Sequence, residues 1–573
     1  MPISALLSLR EEARNLAERQ HHSLPFVRSF IAAAINSFFP GVLSRVEVSD
    51  DPVAQKIGIA ARDIDIETAL YIISTVYTVM LPKDYRTRYG VFYTPPVLTK
   101  RLLDLVEQAG INWASSKVLD PACGGGAFLA PVAIRMAKSL AVMTPGDRIQ
   151  NIETHIKGFE IDPFAAWMSQ AFVEIVLAED IRALARPLAP LVSVRDSLLV
   201  SKSEYGQYDL VIGNPPYGRI KLPPADREKW SRSLYGHANL YGLFADLAVR
   251  LAKPDGIIAY VTPASFLGGQ YFKNLRILLA TESPLTAIDF IDSRQGVFAD
   301  VLQEAILAVY RRGANNPKAS VSFLSVKETG VASVESGGEH HLLTANGRPW
   351  ILPRSSSQVD LISHVAGMPH RLSDLGYEVS TGPLVWNRHK DRLNNAPSPG
   401  TVPLIWAECI DPSGSGDFSF KADARNHKPW YKPYSENDSN IISQSCVLLQ
   451  RTTSLEQHRR LIAAELGQQF IGQHGGHVAV ENHLNMVRPI PGKRPVITPK
   501  AIACLLNSKI VDQIFRCING STAVSAYELA SLPLPSPKEL QQIDRLLARG
   551  ARHETIEKAI KGMYLNVRYC AAA

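Results

Sequence analysis

The sequence is poor in cysteine. Six cysteines stand in a chain of 573 residues, and no two of them have the Cys-x-x-Cys spacing of a zinc site or a redox pair. They are Cys123, Cys409, Cys446, Cys504, Cys517 and Cys570. This scatter argues against a disulfide framework and against a zinc site, so no metal is expected.

Long apolar runs are missing as well. The longest are short or interrupted by charged residues, so the sequence predicts no transmembrane helix, and the amino-terminal residues lack the pattern of a signal peptide. We therefore expect a cytoplasmic protein without membrane contact. A chain of 573 residues is long for one hydrophobic core and predicts about three units of roughly 150 to 200 residues each.

The glycine-rich turn Gly124-Gly125-Gly126 does not match the patterns that bind phosphates. No Gly-Lys-Ser/Thr follows it, and the dinucleotide spacing Gly-x-Gly-x-x-Gly is not met. The turn joins the apolar run 118–120 to an apolar helix that begins near Ala127, a layout that lets the backbone approach a nucleotide-like ligand closely. Asp120 puts a carboxylate at the strand end, which suits a cationic amino-acid group better than a pyrophosphate.

The most informative motif is Asn214-Pro215-Pro216-Tyr217, which follows the apolar run 209–213. A buried strand of this kind delivers polar groups to its carboxyl end, where open α/β sheets bind ligands. The Asn214 side-chain oxygen and the Pro215 carbonyl can each accept a hydrogen bond from an amino group with a delocalised lone pair, as in adenine N6, and so favour its methylation. The prolines stiffen the turn, and Tyr217 offers a face for stacking. Taken alone, the motif is also compatible with an ordinary Asn-Pro turn.

In this order, the motifs resemble the S-adenosylmethionine-dependent DNA adenine-N6 methyltransferases of the gamma motif order, the type II restriction-modification methylases. Residues 89–96 resemble the first cofactor motif of that family, and the close resemblance spans residues 85–312. It implies transfer of a methyl group from S-adenosyl-L-methionine to N6 of an adenine flipped out of double-stranded DNA. It also implies protection of host DNA against a partner restriction endonuclease, without a stable complex between the two. A monomer is the default expectation.

The resemblance assigns roles to individual residues. Glu160 would bind the ribose hydroxyls of the cofactor, Asp196 would accept from the amino group of its adenine, and Phe244 would pack on the adenine ring. The cofactor set is Tyr93, Thr94, Asp120, Ala122, Gly124, Gly126, Glu160, Ile161, Asp196, Asn214 and Phe244. The catalytic set is Asn214, Pro215, Pro216, Tyr217 and Phe298, the last as a second aromatic contact to the flipped base. Read alone, Asp196 is equally a helix cap, and a phenylalanine such as Phe244 or Phe298 is more often a core residue.

The implied fold is α/β, with a Rossmann-like doubly wound methyltransferase sheet, a helical N-terminal extension and a C-terminal mixed α+β target-recognition domain. Apolar residues three or four apart predict helices within residues 1–80, and predicted strands alternate with helices over residues 81–312. We therefore predict a helical extension at 1–80, the catalytic domain at 81–330 and the target-recognition domain at 350–573.

The basic surplus of the chain is C-terminal. Residues 371–573 hold 24 Lys and Arg against 18 Asp and Glu, which is +6 of the net charge of +7. Beside a methyltransferase, this surplus predicts the part that grips DNA phosphates. Segments that combine Arg or Lys, suited to guanine edges, with Asn or Gln, suited to adenine, are 386–390, 426–432 and 450–453. Residues 505–508 and 532–535 also resemble the target-recognition region of the family, and His474, His477 and His483 suit a loop or phosphate role better than a metal.

Three other functions fit parts of the sequence. An RNA or protein-glutamine N-methyltransferase can use the same Asn-Pro-Pro-Tyr turn, because its acceptor nitrogen needs the same activation, but the large C-terminal region favours DNA. A fused restriction-modification enzyme needs a nuclease domain, and residues 1–80 contain no convincing Pro-Asp followed by Glu-x-Lys. A non-catalytic DNA-binding protein is disfavoured by the intact catalytic turn and the acidic cofactor positions.

Overall fold

The chain consists of two compact units. The first comprises Met1–Pro263 and Asn274–Glu335, and the second comprises Ala264–Lys273 and Ser336–Ala573. The computed structural model describes residues 3–41, 48–89, 93–184, 186–292, 305–315, 318–326, 331–342, 347–423, 426–453, 458–518 and 523–565. Residues 1–80 fall in the first unit together with the large sheet. The three predicted domain boundaries stay predictions.

In the N-terminal half, six helices precede the first strand of a sheet, and the helices that follow alternate with its strands. The helices are α1 (Ile3–Arg19), α2 (Leu24–Phe38), α3 (Pro52–Ala61), α4 (Ile66–Met80), α5 (Lys83–Tyr89), α6 (Pro96–Gln108), α7 (Leu129–Ser139), α8 (Pro145–His155), α9 (Pro163–Val176), α10 (Ala178–Leu184), α11 (Pro224–Lys229), α12 (Leu240–Leu251) and α13 (Lys273–Glu282). Within the described ranges, none of the helices is both long and apolar enough to cross a membrane.

The first four helices form a layer with an apolar core. Asp51 caps α3 by accepting a hydrogen bond from the backbone N–H of Val53 at 2.8 Å. Gly58 lets α3 approach α2 closely, because a Cβ there would lie 2.2 Å from the carbonyl oxygen of Ala34. Buried side chains of these helices share one core with side chains of α9, among them Phe30, Ile73, Tyr77, Phe164 and Phe172. The helical layer therefore packs directly on a helix of the catalytic sheet.

The central sheet has nine strands, and a two-stranded ribbon stands beside it. The strands in chain order are β1 (Val118–Asp120), β2 (Ile156–Glu160), β3 (Val192–Val194), β4 (Tyr208–Gly213), β5 (Arg219–Ile220), β6 (Ala238–Asn239), β7 (Ala252–Pro263), β8 (Leu285–Asp292), β9 (Ala305–Arg311), β10 (Lys318–Val326) and β11 (Ala332–His341). The sheet order is β11-β10-β8-β9-β7-β4-β1-β2-β3, and β5 pairs with β6 in the ribbon.

The winding of this sheet determines where a ligand can bind. Strands β3, β2, β1, β4 and β7 run parallel, whereas β9 is antiparallel to both β7 and β8. The chain winds outward from β1 to β2 and β3, then returns to the other side of β1 with β4. The carboxyl ends of β1 and β4 therefore form a topological switch point, the usual ligand site of open α/β sheets.

Both faces of the sheet are covered, as its apolar sequence requires. In β4, Leu210 and Ile212 join the core that α6, α7 and α9 cover, while Val211 points to the opposite face. Helix α12 contacts β4 and β7. The predicted α/β class with a doubly wound sheet is thereby confirmed.

The second unit is a mixture of short strands and helices. Its strands are β12 (Tyr377–Thr381), β13 (Leu393–Asn394), β14 (Val402–Ile405), β15 (Trp430–Tyr431), β16 (Ile441–Ile442), β17 (Cys446–Gln450), β18 (Ala463–Leu466), β19 (Val478–Val480) and β20 (Leu484–Pro489). They form a four-stranded sheet of order β12-β20-β17-β18 and a five-stranded sheet of order β13-β15-β14-β19-β16. Its helices are α14 (Val359–Val365), α15 (Gln468–Gln473), α16 (Pro499–Leu506), α17 (Lys509–Ile518), α18 (Ala526–Ala530), α19 (Pro537–Ala548) and α20 (His553–Leu565).

Two segments that resemble a recognition region are core segments of this unit. Leu505, Leu532 and Leu534 are fully buried in the core that α16, α17, α19 and α20 share. The Asn507 side chain exchanges two hydrogen bonds with the backbone of Ala463, at 2.9 and 2.7 Å. Residues 505–508 and 532–535 therefore hold the unit together and do not present these side chains to a partner.

Candidate cofactor and active site

A cavity of about 370 Å³ lies at the carboxyl ends of β1, β2 and β4. Its lining consists of Tyr93, Thr94, Asp120, Pro121, Ala122, Cys123, Gly124, Ala127, Phe128, Glu160, Ile161, Ala165, Arg195, Asp196, Ser197, Leu198, Asn214, Pro216, Ile220, Leu240 and Phe244. All residues of the predicted cofactor set except Gly126 are among them. The switch point of the sheet thus gathers positions that lie more than a hundred residues apart in the chain.

The glycine-rich turn closes one side of the cavity. Gly124 and Gly126 have φ angles of +51° and +82°, in the left-handed region that favours glycine. The Gly126 N–H donates to the Cys123 carbonyl at 2.8 Å, and a Cβ on Gly126 would lie 3.0 Å from the Ser169 hydroxyl oxygen. Gly126 therefore shapes the turn from behind rather than lining the cavity. Burial raises the pKa of the Cys123 thiol, which is consistent with a packing residue.

Asp120 is the most deeply buried acid of the site, with 1% of its surface exposed. Its Oδ1 accepts a hydrogen bond from the Ala122 N–H at 3.0 Å, and a Cβ on Gly213 would lie 2.6 Å from the same oxygen. Burial raises the pKa of Asp120 to about 8, the Ala122 N–H opposes that rise, and the nearby Glu160 carboxylate adds to it. Asp120 is therefore largely protonated at neutral pH until a cation restores its charge.

Glu160 joins the acidic strand end of β2 to the glycine-rich turn. Its Oε2 accepts from the Gly124 N–H at 2.8 Å, and its Oε1 accepts from the backbone N–H groups of Ile161 and Asp162, both at 2.9 Å. Burial raises the pKa of Glu160, whereas these backbone donors lower it. The side chain is thus fixed by three donors, and its position in the lining leaves it accessible to a ligand with hydroxyl groups.

Asp196 caps a short helix and also lines the cavity. Its Oδ1 accepts from the Leu198 N–H at 2.9 Å and so caps the short 3₁₀ helix Ser197–Leu199, while the residue also lines the cavity. Phe244 in α12 is 6% exposed, and Ile161, which directly follows β2, is 48% exposed. Phe244 and Ile161 both line the cavity and give it apolar surface beside its acids.

A hydrogen-bonded chain fixes the catalytic turn. The Asn214 amide Nδ2 donates to the Thr94 hydroxyl at 3.1 Å, and the Tyr217 hydroxyl donates to Asn214 Oδ1 at 2.7 Å, with the Val261 carbonyl at 3.2 Å as a second acceptor. Burial raises the pKa of the Tyr217 hydroxyl, so it stays a neutral donor. The plane of the Asn214 amide is therefore set from both ends. Neither hydrogen bond is predictable from the sequence, which marks Tyr217 only as a stacking face.

The other residues of the predicted catalytic set lie at or near the cavity where the structure describes them. Pro215 is buried, Pro216 lines the cavity, and the half-buried Tyr217 ring meets the Tyr241 ring edge-on at 6.0 Å and 79°. Phe298 lies outside the described residues. Of these residues, Pro216 lines the cavity, and Tyr217 is joined to it through its hydrogen bond to the lining residue Asn214.

One side of the cavity is lined by residues that the sequence motifs do not mark as site residues. Ile220, in the β5–β6 ribbon, lines the cavity together with Leu240 and Arg195. Arg195 forms an ion pair with Glu204 at 2.9 Å and lies 4.6 Å from the centre of the Phe159 ring. No motif marks the ribbon, because its two-residue strands carry no periodicity. The adjacency of Arg195 to Asp196 was the one signal available.

In the second unit, the pairing of β13 with β15 brings two predicted recognition segments together. Leu393 pairs with Tyr431 and Asn394 with Trp430, so residues 386–392 stand beside residues 426–434. The resulting aromatic-basic surface is formed by Trp386, His389, Lys390, Arg392, His427 and Tyr434.

Cations cover the rings of the aromatic-basic surface. The Lys390 ammonium lies 5.5 Å from the centre of the Trp386 ring, and the Arg392 guanidinium lies 4.2 Å from that of Tyr434. His427 stacks on the largely buried Trp406 at 4.2 Å. Trp386 is 37% and Tyr434 is 56% exposed, large values for aromatic residues. The surface therefore offers both positive charge and flat apolar faces, the two features that nucleic-acid interfaces share.

Side chains of the third predicted recognition segment, residues 450–453, and of His483 contact other residues of the second unit. Thr453 is buried and its hydroxyl donates to the Arg460 carbonyl, while Gln450 donates to the Ala407 carbonyl at 3.1 Å. His483 Nδ1 contacts the Glu481 carboxylate at 2.8 Å. Across the part of the chain that the structure describes, no group of three or more His, Cys, Asp or Glu side chains is arranged to hold a metal ion.

Comparison with known proteins gives the class to which the fold and site belong. Residues 144–298 match the family described as Eco57I restriction-modification methylase. The fold as a whole resembles that of the Type IIL restriction-modification enzyme MmeI, solved in complex with DNA, with a TM-score of 0.55 at 13% identity over 94% of this chain and 88% of that one. The likeness to MmeI shows the fold alone, whereas the family match and the two curated relatives described next confirm the resemblance to restriction-modification methylases and support a methyltransferase.

Two curated relatives are similar over much of their length. The Type II methyltransferase M.BsuBI of Bacillus subtilis is 25% identical over 465 residues, which is 79% of this chain and 88% of the relative. The Type II methyltransferase M.PstI of Providencia stuartii is 26% identical over 356 residues, which is 61% of this chain and 69% of the relative. Both alignments extend well beyond the 155 residues, 144–298, of the family match.

Proposed function

We propose that this protein is a site-specific DNA methyltransferase that transfers a methyl group from S-adenosyl-L-methionine to N6 of an adenine in double-stranded DNA. The observation that carries the proposal is the Asn214 amide, held between Thr94 and Tyr217 at the edge of the cavity that Asp120, Glu160 and Asp196 line. An amide acceptor fixed beside a cavity with three acids suits an amino-group acceptor and a cationic, hydroxyl-bearing cofactor.

The cavity fits S-adenosyl-L-methionine in volume and in chemistry. Its volume of about 370 Å³ is within the range of small-molecule sites, roughly 300 to 1,000 Å³. Asp120 would hold the ammonium group, Glu160 the ribose hydroxyls and Asp196 the adenine amino group, with Phe244 packed on the adenine ring. When bound, the cofactor supplies a methyl group made electrophilic by its sulfonium sulfur.

The catalytic turn activates and orients the acceptor. Adenine N6 is a weak nucleophile because its lone pair is delocalised into the ring. Asn214 Oδ1 and the Pro215 carbonyl would each accept one N6 hydrogen, which favours a localised lone pair directed at the methyl group. Thr94 and the Tyr217 hydroxyl keep the amide from rotating, so its acceptor oxygen is in place before the base arrives.

The target adenine must leave the DNA helix to reach this turn, because N6 is inaccessible while the base is stacked and paired. Tyr217 would stack on the flipped base, with Phe298 as the second aromatic face. Host-DNA protection against a partner restriction endonuclease, a cytoplasmic location and a monomeric enzyme belong to the same proposal.

The direct test is single-molecule sequencing of DNA from a methylation-free host that expresses the full chain. We expect N6-methyladenine confined to one short sequence motif. Unmodified DNA, from a protein that still binds S-adenosylmethionine, would contradict the DNA substrate and point to RNA or protein glutamine as the acceptor. Protein without S-adenosylmethionine binding would contradict the methyl donor itself.

The aromatic-basic surface is the proposed DNA contact of the second unit, and Lys390→Ala tests it. Loss of one phosphate contact should weaken DNA binding about fivefold to tenfold at moderate salt and reduce the slope of log Kd against log salt by about 1. Fluorescence anisotropy with a labelled duplex measures both quantities. Lys538→Ala, an exposed lysine of α19, is the matched control with the same change of charge. Equal effects of the two variants would show that only the net charge matters.

A further inference from the structure

The N-terminal helices reach the acidic strand end of the candidate cofactor site. Asp162 follows the cavity residues Glu160 and Ile161 in the chain and caps α9, with 1% of its surface exposed. A buried carboxylate is costly unless it is hydrogen-bonded or paired with a cation. The partners of Asp162 therefore determine how firmly this strand end is held.

Most of those partners come from the N-terminal helices. The Tyr77 hydroxyl of α4 donates to Asp162 Oδ2 at 2.7 Å, and Arg28 of α2 lies 3.4 Å from Oδ1. Tyr85 of α5 also hydrogen-bonds to Asp162, and burial together with that carboxylate raises the pKa of Tyr85 to about 12. A cap alone needs one donor, the Phe164 N–H at 2.9 Å. The three additional partners fix the carboxylate to α2 and α4 of the extension and to α5, the helix that follows it.

The backbone of Asp162 carries this constraint to the cavity. Its N–H donates to Glu160 Oε1 at 2.9 Å, and the opposite oxygen of Glu160 accepts from the Gly124 N–H at 2.8 Å. Because the Asp162 side chain is held by the extension, the position of its N–H is held as well. The Glu160 carboxylate is therefore clamped between the glycine-rich turn and a residue that the N-terminal helices fix.

We propose that the N-terminal helical extension is a working part of the cofactor site, in which Tyr77 and Arg28 are positioning residues for the ribose-binding carboxylate of Glu160. The inference rests on the proposed use of S-adenosylmethionine. In this proposal, the extension sets the affinity for the ribose end of the cofactor. Asp120 sets the affinity for its amino-acid end.

The test compares two ligands on the full chain by isothermal titration calorimetry. S-adenosylmethionine carries both the ribose and the amino-acid group, whereas 5′-methylthioadenosine carries the ribose without the amino acid. Tyr77→Phe removes only the hydroxyl that donates to Asp162. We expect it to lower the affinity for both ligands by the same factor, about fivefold or more. At saturating S-adenosylmethionine the single-turnover methylation rate should stay within about twofold of wild type, since the Asn214 turn is untouched.

Two further variants separate positioning from stability. Arg28→Met changes a partly exposed residue and should weaken the binding of both ligands in the same way. Tyr377→Phe removes another buried hydroxyl, which donates to the Ile497 carbonyl at 2.6 Å in the second unit, and should leave both affinities unchanged at a comparable loss of Tm. In a double-mutant cycle, Asp162→Asn should remove most of the effect of Tyr77→Phe, because both act through one carboxylate.

The inference would be overturned if Tyr77→Phe bound both ligands as tightly as wild type does. It would also be overturned if only S-adenosylmethionine bound more weakly, because the effect would then lie at the amino-acid end. Equal losses in the Tyr377→Phe control would reduce it to a general stability effect. A wild-type protein that binds neither ligand would instead refute the proposed function on which the inference rests.

Discussion

Replacing Asn214 by alanine should lower the single-turnover rate of adenine methylation by about 100- to 1,000-fold, the range found when one preorganised hydrogen-bonding group is removed from an active site. The substitution removes the Oδ1 acceptor and leaves the Tyr217 hydroxyl to turn toward the Val261 carbonyl, which is 3.2 Å away. Rapid-quench assays with labelled cofactor measure the chemical step apart from product release. Affinity for S-adenosylmethionine should change by no more than a few-fold, since the acids of the cavity are intact.

The control for this variant removes an asparagine from elsewhere in the same unit. Asn151 in α8 donates to the Ala114 carbonyl at 3.1 Å, so Asn151→Ala costs one comparable hydrogen bond at a distance from the catalytic turn. Its methylation rate should equal that of wild type. A rate for Asn214→Ala within about fivefold of wild type, far from the loss expected for an essential group, would show that the amide does not act in the chemical step.

Replacing Asp120 by asparagine should remove the part of the pH dependence of cofactor binding that comes from deprotonation of this carboxyl. The pKa of Asp120 is about 8 in the free protein because of burial, so below that pH the carboxyl must lose a proton before it can pair with the cofactor ammonium. Wild-type affinity relative to Asp120→Asn should therefore rise about tenfold per pH unit between pH 6 and pH 8 and then level off. The ratio cancels the titration of the cofactor's own ammonium, which loses its proton near pH 8.

The same substitution should change stability in the opposite sense. A carboxyl whose pKa is raised on folding contributes stability that is complete below its unfolded pKa, near 4, and is lost as the pH rises through the folded value of about 8. Cofactor-free Asp120→Asn should therefore exceed wild type in Tm at pH 8.5 by more than it does at pH 6. Scanning calorimetry at both pH values measures the difference. A constant gap in Tm between the two proteins would mean that Asp120 is not protonated in the folded state.

The cofactor side of the site is predictable because sheet geometry dictates it. Asp120, Glu160 and Asn214 each follow a short apolar run, and parallel strands place such ends at one edge of the sheet. The Thr94–Asn214 hydrogen bond is not predictable in this way, since the two residues are 120 positions apart and nothing in either motif indicates that their side chains meet. The role of Asp162 is hidden for the same reason, because its partners lie on helices that carry no motif.

In the second unit, the local sequence does not show which polar residues are buried in the core. Residues 505–508 resemble the target-recognition region of the family, yet the Asn507 amide satisfies the backbone of Ala463 inside the core. A buried polar residue and an exposed one have the same letter in the sequence, and only the fold supplies the partner that tells them apart. The segments at 386–390 and 426–432 were placed together by strand pairing, which two-residue strands do not reveal beforehand.

The close approach of Gly213 to Asp120 limits how this enzyme can be re-engineered. The acid of β1 and the residue that precedes the catalytic turn share one small volume, so any side chain at position 213 would displace the carboxylate. Enlarging the site to accept cofactor analogues with bulkier transferable groups therefore cannot begin at the sheet. It has to begin at Ile220 and Leu240, which line the same cavity from a short ribbon and the first turn of α12.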